Sequence, residues 1–146
     1  MTGIDTNILI YARVAAAPLH ARAVSFLESL ADDSGVVIAE LVLVELYMAL
    51  RNPAILQPPL EAPAAAAECQ MLRAHPHWAL AEHAEVMEAV WRDAAAAGFA
   101  RRRIIDVRLA RTLIAHGVTD FATANERDFQ GLGFARVWNP LAPSAD

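Results

Sequence analysis

The chain has 146 residues, the size of one compact domain with a real buried core. Apolar residues make up 56 % of it and mean hydropathy is +0.30, yet no apolar run nears the roughly 20 residues that cross a bilayer, so a soluble protein is expected. A formal charge of −5 argues against a generic nucleic-acid binder, which neutralises phosphates with a basic face, but not against a nuclease whose acids surround a divalent cation. The lone Cys69 leaves no internal disulfide framework, and no charged start precedes an apolar core and cleavage site, so the cytoplasm is the expected setting. The apolar excess, much of it alanine, points to some surface being covered by a partner.

Thr2 to Ile4 predicts a brief strand that ends at Asp5, with Thr6 or Asn7 capping the helix that Ile8-Leu9-Ile10-Tyr11 begins. Asp5 then stands at the carboxyl edge of a strand, where open parallel sheets bind ligands; its plain alternative is a helix cap. A second helix starts near Pro18, with Ala23, Phe26, Leu27 and Leu30 at helical spacing. Asp32-Asp33-Ser34-Gly35 reads as a turn, and Val36-Val37-Ile38-Ala39 as a buried strand. Residues 41–50 follow as a helix in which Glu45 lies among Leu41, Val44, Leu46 and Met48. A charge there is costly without a partner or a cleft mouth beside it, while Glu40 suits the solvated stripe.

Asn52-Pro53 ends that helix, and the Pro-rich residues 57–63 launch another over 64–73. His75-Pro76-His77 has a metal-like look, but histidines flanking a proline share no helix face and lack a third ligand at a recognisable spacing. Residues 78–80 predict a short strand and 84–97 a helix with Met87, Val90, Trp91 and Ala94 as its core face. Arg101-Arg102-Arg103 is the dense basic cluster, either a solvated turn or a contact for RNA phosphates or a partner's acids. Ile104-Ile105 leads to Asp106 at the start of a helix closed by Gly117, where amide dipoles favour an ionised carboxylate. Residues 120–123 and 135–138 predict two more strands, with 124–129 turning away between them and a loose tail over 141–146.

This alternation implies an α/β fold, a parallel sheet with helices on both faces. Asp5, Glu45 and Asp106 then meet at one edge. Like charges brought together raise one another's pKa, so the cluster is tenable with a cation in it, and hard oxygen ligands suit Mg²⁺ or Mn²⁺. On a phosphodiester the expected chemistry is hydrolysis.

Asp5-Thr6-Asn7 at the start, Glu45 in the helix after the second strand, Ile105-Asp106 leading a helix, and Thr123-Ala-Asn125-Glu-Arg-Asp128-Phe129 together resemble a PIN domain of the VapC ribonuclease-toxin type. The resemblance runs from about Asp5 to Pro140 and implies a PIN-like, Rossmann-like sheet in a single domain over residues 1–140. It also implies Mg²⁺- or Mn²⁺-dependent endonucleolytic cleavage of RNA, a homodimer and a cognate antitoxin. By the same resemblance Asp5, Glu45 and Asp106 match the acidic metal positions, Thr6 and Asn7 the opening motif, and Thr123 the supporting threonine. Asn125 stands where many members have a fourth aspartate; an amide ligates without adding charge, which makes Asp128 a candidate substitute. The rival readings are a binding module that keeps the fold without catalysis, or a Mg²⁺-dependent phosphatase, although no covalent-nucleophile motif supports the latter.

Overall fold

Five short segments pair into one sheet, its central strands too buried to leave their backbone groups unbonded. In the computed structural model, which describes residues 1–143, these are Thr2–Ile4 (β1), Val36–Ala39 (β2), Ala79–Ala81 (β3), Asp120–Ala122 (β4) and Arg136–Trp138 (β5). Every pairing is parallel and the order is β3-β2-β1-β4-β5. The β-branched run of β2 is buried along its whole length, as a strand covered on both faces requires. The helices Thr6–Arg13 (α1), His20–Ser29 (α2), Glu40–Leu50 (α3), Ala62–Arg73 (α4), Met87–Ala94 (α5), Arg103–Ala115 (α6) and Glu126–Phe129 (α7) cover the sheet. The architecture is the expected α/β sheet with helices on both faces.

The strand order reverses direction at β1, which has β2 on one side and β4 on the other. Such a switch point opens a crevice beyond the carboxyl ends of the two central strands, because their onward connections depart in opposite senses. The register Thr2↔Asp120, Gly3↔Phe121, Ile4↔Ala122 brings Asp5 and Thr123, the residues just past β1 and β4, to that crevice side by side. Gly3 is needed for the approach: a Cβ there would stand 3.1 Å from the Phe121 ring and 3.2 Å from Leu113 and Val118. Beneath lies a core in which Ile4, Ile8, Val36, Ile38, Val42, Leu113 and Phe121 are fully buried.

Several boundaries differ from expectation for identifiable reasons. The cap of α1 is Asp5, not Thr6 or Asn7, and the helix begins at Thr6. Helix α6 starts at Arg103 rather than at Asp106, so Ile104 and Ile105 lie in its first turn; Ile104 continues, one turn earlier, the stripe of Val107, Ala110 and Leu113, and this periodicity carries the helix back past Asp106. Helix α5 spans only Met87–Ala94 rather than 84–97. Of its expected core face Val90 is buried, whereas Met87 and Trp91 are 37 % and 61 % exposed. The helix packs mainly on α6, with Val90 as its buried contact.

The tail also differs at its first position. Leu141 is fully buried, its N–H donates to Asn139 Oδ1 at 2.9 Å, and its carbonyl accepts from Arg22 Nη1 at 2.8 Å. Residues 144–146 of the expected loose tail lie outside the described residues. His75 stacks on the Trp78 ring at 4.2 Å and its Nδ1 accepts from the His77 N–H at 3.3 Å, while His77 Nε2 faces Asp32 at 3.5 Å; each histidine is engaged with neighbours other than a shared ligand. Among the described residues no helix is long and apolar enough to cross a membrane.

Candidate active site

Asp5 leaves β1 in an extended conformation, and its N–H still donates to Ala122 O at 3.0 Å, continuing the sheet one residue past the strand. Its carboxylate, on a residue only 7 % exposed, accepts three hydrogen bonds. Thr6 N–H donates to Oδ1 at 2.7 Å, and Thr123 Oγ1 and Asn7 Nδ2 donate to Oδ2 at 2.6 and 2.8 Å. The cap reading and the functional reading of Asp5 therefore coexist: the bond that starts α1 also fixes the carboxylate. Three of its four lone-pair positions are filled from one side, leaving one for a ligand.

Thr123 is fully buried and its hydroxyl is saturated. It donates to Asp5 and accepts from Asn7 Nδ2 at 3.1 Å and from the Asn125 N–H at 3.0 Å. Asn7 closes the group by accepting from the Ala124 N–H at 3.1 Å. Thr123→Val keeps the shape and strips out all three bonds. The expected result is a loss of about 1–3 kcal/mol of unfolding free energy, read from urea melts, together with an Asp5 carboxyl that holds its proton to higher pH. A stability equal to the parent would show that the hydroxyl does not organise the site.

Glu45 comes from α3, where it is half-buried and accepts from Thr6 Oγ1 at 2.6 Å. Thr6 thus holds Asp5 through its amide and Glu45 through its hydroxyl. Asp106, half-buried in the first turn of α6, and the exposed Asn125 and Asp128, at the start of and within α7, complete the ring. All of them line one open cleft of about 530 Å³ together with Asp5, Thr6, Asn7 and Arg102. The sequence singled out Arg102 only as part of a cluster, and it gave no signal for Asn52 or for the apolar wall of Ile10, Met48 and Ile55 that the cleft also has. Those residues reach the cleft from α1, α3 and the turn after α3, a proximity created by packing rather than by any spacing along the chain.

Electrostatically the cleft is under tension. Burial, opposed by the Thr123 and Thr6 hydrogen bonds and reinforced by the charges of Glu45 and Asp106, pushes the Asp5 carboxyl up to about 6. Asp106 is raised as well, first by burial and then by Asp128 and Glu45, with Arg103 acting against them. Among the described residues none of Asp5, Glu45 and Asp106 has an ion-pair partner. A divalent cation relieves this repulsion, and an all-oxygen donor set suits a hard ion. Among the described residues no three acid, histidine or cysteine side chains are close enough to grip a bare ion. The fit is therefore to an ion that keeps part of its water shell, as Mg²⁺ does.

The PIN domain profile matches residues 4–135. Ribonuclease VapC24 of Mycobacterium tuberculosis is 50 % identical over 141 residues, 97 % of this chain and 97 % of that protein. Among solved structures, that of Mycobacterium tuberculosis VapC20, a Sarcin-Ricin loop cleaving toxin, superposes with a TM-score of 0.68 at 19 % identity, covering 92 % of this chain and 96 % of that one. That of FitAcB from Neisseria gonorrhoeae gives 0.61 at 20 % identity, with 96 % and 98 % covered. PIN-domain ribonucleases generally depend on divalent metal. With the profile running from the end of β1 through β4 to the approach to β5, and a relative matching nearly end to end, the chain belongs to the PIN domain family.

Proposed function

We propose that the protein is a Mg²⁺- or Mn²⁺-dependent endoribonuclease of one domain over residues 1–140, acting in the cytoplasm as the toxin of a type II toxin–antitoxin pair. The observation that carries the reading is the gathering of Asp5, Glu45, Asp106 and Asp128 on one cleft in a chain half identical to a protein named as a ribonuclease. Asp5 and Asp106 hold the ion directly, and Glu45 holds it through water or helps activate the nucleophile. Asn125 positions water or substrate. Asp128, whose charge already acts on Asp106, supplies the fourth negative charge that Asn125 lacks. Thr6, Asn7 and Thr123 orient Asp5. The bound ion supplies Lewis acidity to the phosphodiester and to the attacking water.

Two partners accompany this reading. A cognate antitoxin follows from the VapC type of the relative. A homodimer is supported by large apolar side chains left in solvent on α3 and α4: Val44 and Met48 are 50 % and 65 % exposed, and Met71 is more so. The test is to incubate the purified protein with a mixed RNA pool and Mg²⁺, Mn²⁺ or EDTA. Discrete internal cuts with either ion and intact RNA in EDTA are expected. Equal cutting in EDTA would overturn the metal, and no cutting with any divalent ion would overturn the nuclease.

A further inference from the structure

The twelve basic side chains are all arginine, and they are unevenly spread. Beside the acid-lined cleft lies a second cavity of about 400 Å³ between α5, α6 and the turn after α7, lined by Arg92, Arg103 and Arg111 with Asp93. Three guanidinium groups therefore face one carboxylate there, in a chain whose overall charge is negative. Asp93 is committed to Arg111, accepting from its Nε at 2.6 Å. Among the described residues Arg92 meets only the solvent-exposed Glu88 at 3.2 Å, a helical i,i+4 pair of little worth. The cavity adjoins the cleft through a shared wall, where Arg103 Nη1 donates to the backbone carbonyl of Asp128 at 3.2 Å and Asp128 itself lines the acid cleft. The adjacent residues Arg102 and Arg103 thus line the two cavities in turn.

We propose that this arginine-lined cavity is a phosphate-binding subsite that takes the RNA backbone beyond the phosphate being cut. The assignment rests on the ribonuclease reading and extends it to how the strand is held. An acidic cleft repels RNA everywhere except at its ion, so a strand entering it needs cationic contacts next door. Guanidinium forks match phosphate oxygens bidentately and carry their charge at every working pH. Val107 and Phe99 line the cavity beside the arginines. The contacts read no base, so they set affinity and register rather than sequence.

The test measures binding of a fluorescent single-stranded oligoribonucleotide by anisotropy over a range of salt, on the full chain carrying Asp106→Asn so that RNA stays intact. Arg92→Gln is expected to raise Kd about threefold to tenfold and to reduce the slope of log K against log salt by about 0.7, the value of one phosphate contact on a single strand. Asp93→Asn, which releases Arg111 from its partner, is expected to tighten binding. Opposite signs from neighbouring residues separate charge from damage, and thermal melts confirm the fold of each variant. In the cleavage-competent chain the Arg92→Gln loss falls in KM rather than kcat.

Unchanged Kd and slope in both variants, or weakening in both, overturns the subsite. If the parent cuts RNA in those cases, the ribonuclease reading stands without it. An unchanged RNA slope combined with Arg92-dependent binding of an oligoglutamate peptide overturns it in favour of an acidic protein partner. Because binding is read on uncut RNA, a parent that never cuts removes the nuclease reading alone.

Discussion

Asp106→Asn is expected to abolish detectable RNA cleavage, lowering the rate about 1,000-fold or more, which corresponds to about 4 kcal/mol of barrier. The substitution preserves shape and removes one negative charge. Asp106 is half-buried in the first turn of α6, where it is raised by burial and by Asp128 and Glu45. Taking its charge away relieves repulsion, so the metal-free fold is expected to be as stable as the parent or slightly more so. An inactive but folded variant is thus the specific signature, and thermal melting separates it from a damaged one. The same loss is expected of Asp5→Asn, with a different structural cost: an amide at that position still accepts from Thr6 N–H but presents a donor where Asn7 Nδ2 also donates. If purified Asp106→Asn cut RNA at the parental rate, the ring of acids would not be the reaction centre.

The second large effect is in stability against pH. In the metal-free protein the Asp5 carboxyl is raised from 3.8 to about 6, mainly by burial. Between those values the folded state binds more protons than the unfolded one, so unfolding free energy falls as pH rises. The contribution of Asp5 is fully present below about pH 4 and is lost by about pH 6. The size is about 3 kcal/mol, from roughly two units at about 1.4 kcal/mol each. Asp106 is shifted the same way and adds to the decline. Urea melts in EDTA at pH 4, 5, 6 and 7 read this directly: the parent loses stability relative to Asp5→Asn across the window. Saturating Mg²⁺ or Mn²⁺ is then expected to restore about 2.7 kcal/mol above pH 6 when the ion is present at about 100 times its Kd. A parent and an Asp5→Asn variant running parallel across that range would mean that burial does not strain this carboxyl.

The central sheet and the three acids were legible in the chain because each leaves a local trace. The buried run Val36-Val37-Ile38 can only be a covered strand, and Asp5 follows a segment too short to be anything but a strand end. Glu45 stands out as a charge in an otherwise apolar helix, and its Thr6 hydroxyl partner at 2.6 Å is the compensation that such a position demands. The errors lie where local and tertiary signals compete. Trp91 and Met87 have core chemistry and helical spacing, but α5 packs chiefly on α6 through Val90 and leaves them largely in solvent. Leu141 follows Asn139-Pro140, which reads as an ending, yet it fills a space that only the assembled fold contains. The arginine cavity is only half legible in the same way: Arg103 and Arg111 stand two turns apart on one face of α6, but the third guanidinium, Arg92, joins them through the docking of α5 on α6.

Thr6 has a mechanical consequence. One small residue grips carboxylates from two helices, one by its amide and the other by its hydroxyl. The span between Asp5 and Glu45 is therefore gauged by bonds inside a single amino acid, like the jaws of a caliper. Widening that gap by moving α3 away from α1 would therefore require breaking the Thr6–Glu45 bond.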